Sequence, residues 1–200
     1  MDTVAAKERL IRSMKLHAYV SPKVEAAFRA VPRERFVPPE YDGDAYADTA
    51  IFLADGSTVS QPSMIAQVLD CLNLFDGCSV LEIGSGSGYL MALMHEMGAE
   101  VTGVEVIPQL VDRSRKVLED LGVECEIHCM SGERAAGLGK FDRIVFSAAV
   151  ERIPDWSKEM LNEGGTVVAP VGNRYKQEMQ IQSKERTVRT GKLCRFVPYT

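Results

Sequence analysis

Residues 80–90, VLEIGSGSGYL, place a short apolar strand directly before a glycine-rich turn and an apolar helix. Gly84, Gly86 and Gly88 let backbone N–H groups approach a ligand closely, and the start of the helix favours negative groups. A dinucleotide fingerprint would need its third glycine at position 89, which is Tyr89, and no GK[ST] follows for an NTPase loop. The unit therefore predicts a ligand site of another class.

An acidic residue ends the next strand. Glu105 closes EVTGVEV, seventeen residues beyond Gly88. A carboxylate there accepts two hydrogen bonds from a ribose diol and would repel a 2′-phosphate. Together with Glu82 in the first strand, it predicts a ribose-bearing ligand. The alternative is that each glycine serves only as a turn device.

The second part of the chain alternates β-rich runs with helical patterns. In order these are SVLEI, YLMALMHEM, EVTGVEV, PQLVDRSRKVLEDL, VECEIHC, FDRIVFSA, a helix around residues 154–162, and GGTVVAPV. This rhythm predicts an α/β fold with a doubly wound, mostly parallel, Rossmann-like sheet. KQEMQIQSKE and TVRTGKLCRFV follow without a helix between them, which predicts an antiparallel hairpin at the sheet edge.

The first part of the chain is mainly helical. The pattern predicts a helix over residues 2–17, a second beginning at Ser21-Pro22, and a third from Pro62 to Leu72. The Pro-, Asp- and Tyr-rich run VPRERFVPPEYDGDAYADTA predicts an irregular, extended segment between them. We expect one domain over residues 1–200. Residues 1–75 would form a helical, substrate-side segment, and residues 76–200 the Rossmann-like core.

Composition narrows the function. The 200 residues can bury a core without disulfides or a structural metal. The net charge of −5 and pI of about 5.3 argue against a general nucleic-acid binder. No apolar run approaches the roughly 20 residues that span a bilayer, and the charged N-terminus is no secretory signal. We expect a cytoplasmic monomer that binds neither nucleic acid nor membrane.

Five cysteines are spread through the chain without a C-x-x-C pair: Cys71, Cys78, Cys125, Cys129 and Cys194. Free thiols are therefore expected. If CEIHC is a strand, Cys125 and Cys129 share one face with Ile127, and we expect both thiols to pack in the core. A metal site is the less favoured alternative. No bound metal is expected.

Several blocks of the sequence resemble a known family. LEIGSGSGY resembles the first motif of class I S-adenosylmethionine-dependent methyltransferases, and Glu105 matches their second. More specifically, VPRERFVP, AYAD, GSTVSQPSMIAQ, LEIGSGSGY, FDRIVFSAAVERIP, LNEGGTVVAPVG and RFVP follow the blocks of the protein-L-isoaspartate O-methyltransferase family in order. The resemblance covers about residues 20–198, with TVSQPSM as its specific signature.

The resemblance implies a reaction. The cofactor would be S-adenosylmethionine, and the acceptor the free carboxylate of L-isoaspartyl residues in damaged proteins and peptides. That carboxylate has a pKa of about 4 and is ionised at neutral pH. No general base is therefore required, and the remaining task is to position the carboxylate and exclude water. A neutral hydroxyl suits that task.

The resemblance also implies site residues. Ser60 matches the family's active-site serine, while Gln61, Val150 and Ile153 are substrate-side candidates. The cofactor-side candidates are Ser57, Thr58, Val59, Glu82, Gly84, Ser85, Gly86, Gly88, Glu105, Val106, Ser131, Gly132 and Glu133. From the residues alone, Ser60 is also a candidate helix N-cap before Pro62, and both roles can coexist.

One block departs from the family. After the third strand the family usually carries Gly-Asp-Gly, whose acid lies near the adenine of the cofactor. Here Met130-Ser131-Gly132 stands in that place, followed by Glu133. Either Ser131 substitutes as a weaker partner or Glu133 supplies the carboxylate.

Two other functions stay open from the sequence. One is a methyltransferase acting on RNA or a small molecule. Base methylation often uses a [DN]-P-P-[YF] motif after the fourth strand, where this chain reads SAAV, and the acidic pI also weakens the RNA case. The other is a non-catalytic cofactor-binding protein that docks on a partner.

Overall fold

The structure is a computed structural model that describes residues 3–17 and 19–199. The helices are α1 (Thr3–His17), α2 (Pro22–Ala30), α3 (Pro62–Leu72), α4 (Tyr89–Glu96), α5 (Pro108–Asp120) and α6 (Asp155–Glu159). The strands are β1 (Ile51–Phe52), β2 (Thr58–Val59), β3 (Ser79–Ile83), β4 (Glu100–Glu105), β5 (Cys125–Cys129), β6 (Phe141–Phe146), β7 (Leu161–Gly172), β8 (Gln177–Gln182) and β9 (Thr187–Cys194). Short 3₁₀ segments lie at Arg33–Arg35, Pro39–Asp44 and Gly132–Leu138.

Seven strands of the described part form one sheet in the order β5-β4-β3-β6-β7-β8-β9. The strands from β5 through β7 pair in parallel, whereas β8 and β9 pair antiparallel at the far edge. The chain runs outward from β3 to β5 and then returns to β6, so the order reverses between β3 and β6. Ligands of such sheets bind at the carboxyl ends of the strands beside that reversal. The predicted fold class and edge hairpin are confirmed.

The helices around the sheet differ in how they are buried. Residues 89–94 of α4 are all buried, because this apolar helix lies between the sheet and α2. α5 instead buries one face, with Leu110, Val111, Ser114 and Leu118 at helical spacing, and exposes its charges. α4 directly follows the glycine loop, so its burial fixes the position of that loop.

The N-terminal helices pack onto the same core. α1 buries Leu10, Ile11 and Met14 along one face. The Ser21 hydroxyl accepts a hydrogen bond from the Val24 N–H at 3.4 Å, and Pro22 occupies the first turn of α2, as predicted. Residue 2 of the predicted first helix lies outside the described residues. The division of the domain at residue 75 stays a prediction.

Two expectations for local structure need correction. The segment expected to be irregular and extended is irregular but not extended, because it contains two 3₁₀ turns that follow Pro32 and Pro38. In β5, Ile127 is buried and Cys125 half-buried, but Cys129 is exposed. The expectation that both thiols pack in the core is therefore wrong for Cys129. β5 is an edge strand, so a strand neighbour covers it on one side only.

Two further properties concern the described residues alone. None of their helices is both long and apolar enough to cross a bilayer. They also hold no cluster of three His, Cys, Asp or Glu side chains that could bind a metal ion, and all five cysteines are free thiols.

Candidate active site

The glycine loop is folded tightly against the sheet. The N–H groups of Gly84 and Ser85 donate to the Val104 carbonyl at 2.8 and 3.1 Å, which ties the loop to β4. Gly88 has φ of +81°, and a Cβ there would lie 2.9 Å from the Leu118 Cδ1 atom. A side chain at position 88 would therefore be strained and would also collide with α5.

Glu105 organises this loop. Its Oε2 atom accepts a hydrogen bond from the Gly86 N–H at 2.9 Å. Its Oε1 atom accepts from the N–H groups of Val106 and Ile107 at 2.7 and 3.0 Å. The side chain is buried, yet each carboxylate oxygen keeps further acceptor capacity. The predicted ribose contact is compatible with this arrangement and stays a prediction.

Glu82 is a buried carboxyl group with one oxygen left free. Its Oε1 atom accepts a hydrogen bond from the Ser147 hydroxyl at 2.5 Å, while Oε2 has no partner among the described residues. Burial, and less strongly the charge of Glu105, raises the pKa of Glu82 to about 8, against the lowering effect of the Ser147 hydrogen bond. The Ser85 hydroxyl is likewise buried without a partner. A ligand that carries a cationic donor fits this site.

These groups line a narrow cleft of about 40 Å³ at the carboxyl ends of β3 and β6. Thr58, Ser60, Glu82, Gly84, Ser85 and Gly86 of the predicted site face it together. Ser57 and Val59 do not line it, and Val59 is buried in the core instead. The TVS stretch and the glycine loop, which are over twenty residues apart in sequence, thus meet at one cleft.

Ser60 is placed by its backbone. It follows β2, which pairs antiparallel with β1 through Ile51↔Val59 and Phe52↔Thr58. The Ser60 carbonyl accepts a hydrogen bond from Nη2 of the fully buried Arg33 at 3.3 Å. Its hydroxyl makes no hydrogen bond within the described part of the chain. Ser60 therefore keeps a free hydroxyl on a fixed backbone.

The helix N-cap expected at Ser60 belongs to other residues. The N-cap position of α3 is Gln61. The first turn of that helix is capped from a distance, because Oδ1 of Asp48 accepts a hydrogen bond from the Ser63 N–H at 2.8 Å. The Gln61 amide donates to the other oxygen of Asp48 at 3.2 Å. The N-cap interpretation of Ser60 is therefore wrong.

A wide groove of about 1490 Å³ opens beside the cleft. Thr58, Ser60 and Phe196 line both cavities, so the two meet at these side chains. Gln61 and Val150 of the substrate-side prediction line the groove. Ile153 does not; it is buried in the core beneath it.

Residues 130–133, which differ from the Gly-Asp-Gly usual in the family, lie in a small hydrogen-bond network of their own. The Tyr199 hydroxyl donates to Oε1 of Glu133 at 2.8 Å, and the Ser131 side chain lies close enough to this carboxylate to help lower its pKa. Burial tends to raise the pKa of Glu133, but these hydrogen bonds and one from its own backbone lower it on balance. A Cβ on Gly132 would lie 2.9 Å from the Trp156 ring. Ser131 and Glu133 thus lie close together, which leaves both sequence alternatives open.

The sequence analysis missed several residues of this site. Ser147 binds Glu82, Phe196 lines both cavities, and Arg33 holds the Ser60 carbonyl. Each lies inside a block that already resembled the family, FSAAV, RFVP and VPRERFVP. Those blocks carried the signal, but nothing in the linear order shows that they converge on one cleft.

The fold and the glycine-loop site define a class I S-adenosylmethionine-dependent methyltransferase. The profile of the protein-L-isoaspartate(D-aspartate) O-methyltransferase (PCMT) family matches residues 5–200. The chain belongs to this family, which confirms the predicted family, activity and cofactor.

Individual relatives agree with this placement. The chain is 40% identical to the protein-L-isoaspartate O-methyltransferase of Gloeobacter violaceus over 158 residues, 78% of this chain and 77% of the relative. It is 39% identical to that of Methanothrix thermoacetophila over 189 residues, 92% and 88% of the two chains. A solved Plasmodium falciparum structure designated beta-aspartate methyltransferase (PCMT), in complex with S-adenosyl-L-homocysteine, shares the fold with a TM-score of 0.81, 24% identity and coverage of 100% and 99%.

Proposed function

We propose that Ser60 orients the carboxylate of an L-isoaspartyl residue for methylation at the junction of the cleft and the groove. The observation that carries this proposal is the position of the Ser60 hydroxyl, which lines both cavities and has no hydrogen-bond partner in the described part of the chain. The activity itself, S-adenosylmethionine-dependent methyl transfer to isoaspartyl residues in protein repair, follows from family membership.

The proposed reaction requires the protein to position the reactants but not to remove a proton. S-adenosylmethionine supplies an electrophilic methyl group on a sulfonium. The isoaspartyl carboxylate is already ionised near pH 7, so no residue has to remove a proton. Ser60 donates a hydrogen bond to one carboxylate oxygen and leaves the other free to attack. Phe196 and Thr58 narrow the junction and exclude water, which favours positioning of the reactants.

The cofactor would be held by residues of the cleft and the loop. Glu82, through its free Oε2 atom, would accept hydrogen bonds from the ammonium group, and Ser85 would add a hydroxyl. Glu105, which fixes Gly86, would accept from the ribose hydroxyls. Thr58, Gly84, Gly88 and Val106 would complete this side. Ser131, Gly132 and Glu133 would lie near the adenine.

We propose a cytoplasmic monomer that acts on isoaspartyl proteins and peptides and does not bind nucleic acid. The net charge of −5 supports the last point, because it opposes general attraction to a phosphate backbone. The helical segment 1–75 would contribute Ser60 and Gln61 to the substrate side.

One assay tests the proposed function. The purified protein is incubated with labelled S-adenosylmethionine and a pair of peptides that differ only in Asp or isoAsp at one position. We expect a base-labile methyl ester on the isoaspartyl peptide alone. Equal labelling of both peptides, or cofactor binding without any transfer, would contradict the proposal.

A further inference from the structure

The groove beside Ser60 carries a charge opposite to that of the whole chain. Its charged lining residues are Glu151, Arg152, Arg174 and Arg195, so arginine predominates in a protein whose net charge is −5. All four side chains are exposed. Lys176 extends the cationic surface just beyond, in a smaller pocket that it shares with Arg174 and Arg195. The groove lining therefore has more cationic than acidic side chains.

These arginines are not neutralised within the described residues. Arg152, Arg174 and Arg195 form no ion pair there. Two nearby acids are already engaged, since Asp155 pairs with Lys158 and Glu178 pairs with Arg189. In the part of the chain that the structure describes, Glu151 is the one acidic residue in the groove lining, against three arginines. An anionic group that enters the groove thus meets available guanidinium donors.

The same groove exposes large apolar side chains. Phe52, Tyr175 and Leu193 line it and are 67%, 80% and 63% exposed. The Arg174 guanidinium lies over the Tyr175 ring, 4.6 Å from its centroid, which holds that cation at the surface. A polypeptide presents both apolar and anionic groups along its length, whereas a bare phosphate backbone would leave Phe52 and Leu193 without partners.

The groove walls are fixed by backbone pairing. The Ala149 N–H donates to the Val197 carbonyl at 2.7 Å, and the Tyr199 N–H donates to the Ala149 carbonyl at 2.8 Å. The C-terminal segment that carries Arg195 is thereby held beside the segment that carries Arg152. The backbones that carry these two arginines therefore keep a set position in the groove wall.

We propose that the Arg152, Arg174 and Arg195 groove selects isoaspartyl sites whose flanking residues are acidic. This inference rests on the proposed function, because it takes the groove beside Ser60 as the path of the substrate chain. The selection acts on binding and steering of the peptide, since the arginines lie outside the cleft that holds the reacting groups.

The test compares isoaspartyl peptides of one length whose flanking residues are all Glu, all Gln or all Lys. We expect KM to be lowest for the Glu peptide. Exposed ion pairs are individually weak, so each flanking charge should change KM by up to about fivefold. Added salt should reduce the difference. kcat should vary little among the three peptides.

Matched variants assign the effect to the groove. The triple variant Arg152→Gln, Arg174→Gln and Arg195→Gln should lose the preference yet keep kcat for the Gln peptide. Arg186→Gln is the control, because this exposed arginine lies in the β8–β9 turn away from both cavities. It should keep the preference.

Several results would overturn the inference. They are equal KM values for the three peptides, a preference that survives in the triple variant, or competition by a single-stranded RNA as strong as that by the Glu peptide. Failure to methylate any isoaspartyl peptide would instead overturn the proposed function, and this inference with it. A clear isoAsp over Asp preference with no flank effect would remove the inference alone.

Discussion

The Gly86 N–H donates to Oε2 of Glu105 at 2.9 Å, which links the centre of the glycine loop to the end of β4. The other oxygen of Glu105 accepts from the next two backbone N–H groups of its own chain, at 2.7 and 3.0 Å. One buried carboxylate therefore shapes the loop before any ligand arrives. A ligand that also contacts Glu105 binds to a site that is already formed.

Replacing Glu105 tests this double role. Glu105→Ala removes charge-assisted hydrogen bonds from the loop and from the ribose, so cofactor binding should weaken by roughly 1.5–3 kcal/mol. Titration calorimetry with S-adenosylhomocysteine measures the change. Glu100→Ala is the control, because Glu100 is an exposed carboxylate at the opposite end of the same strand. Unchanged affinity in Glu105→Ala would remove Glu105 from the cofactor site.

The raised pKa of Glu82 leads us to expect that cofactor binding depends on pH. Its pKa is about 8, so the free protein holds a protonated carboxyl group at pH 6 to 7. An ammonium group at Oε2 favours the ionised form, and binding must then release a proton. We expect the affinity to rise as the pH increases from 6 to about 8 and then to level off.

Calorimetry in buffers of different ionisation enthalpy measures the released proton directly. Glu82→Gln should abolish both the proton release and the pH dependence, while kcat at saturating cofactor stays flat from pH 6 to 8 in the wild type. A cofactor affinity that does not change with pH would contradict the contact between Glu82 and the ammonium group.

The raised pKa of Glu82 also affects the stability of the free protein, in the opposite direction. Since this pKa is raised from 4.5, the free energy of unfolding of the free protein should fall as the pH rises from about 4.5 towards 8.

The sequence predicted the sheet well because its signals are local. Apolar runs such as SVLEI alternate with helices, and Pro62 marks the start of α3. The site was predicted only in part. Asp48 caps α3 from outside the helix, and Ser147, directly after β6, reaches Glu82 in the neighbouring strand β3, so neither contact has a local signature. The exposure of Cys129 was missed because alternation in a strand does not show whether the strand lies at an edge.

Arg33 should stabilise the backbone position of Ser60. Its Nη2 atom donates to the carbonyls of Thr49 and Ser60 at 3.2 and 3.3 Å, and the guanidinium lies 5.5 Å from the centroid of the Tyr89 ring. Burial lowers the pKa of Arg33, although nearby Tyr89 and Asp48 oppose this change. Arg33→Met keeps an extended side chain but removes both hydrogen bonds.

We expect Arg33→Met to lower the free energy of unfolding by roughly 1.5–3 kcal/mol and to raise KM for the peptide. Urea denaturation and steady-state kinetics measure the two effects. Arg35→Met is the control, since its ion pair with Asp120 is exposed. If Arg33→Met matched the control in stability and KM, the support from Arg33 would be disproved.

Variants of Ser131 and Glu133 test how residues 130–133, which replace the family's usual Gly-Asp-Gly, recognise the cofactor. Asp at position 131 would restore the family's acid, but it would also lie beside the Glu133 carboxylate, to which Ser131 now lies close. Ser131→Asp should therefore tighten cofactor binding most when combined with Glu133→Gln. The expected gain is at least about tenfold, the lower end of the value of one hydrogen bond to a charged group. Weaker binding in the double variant than in Glu133→Gln alone would indicate that the adenine is recognised by other groups.

The central claim is that the Ser60 hydroxyl positions the isoaspartyl carboxylate. Removing one hydrogen bond to a charged group costs roughly 1.5–3 kcal/mol, or about ten- to a hundredfold in rate. The deciding measurement is single-turnover methyl transfer by Ser60→Ala at saturating cofactor, with cofactor affinity and melting temperature determined on the same sample. We predict a rate lower by that factor, with affinity and melting temperature unchanged, because Asp48 rather than Ser60 caps α3. A Ser60→Ala protein that is equally stable and transfers methyl at the wild-type rate would contradict the account.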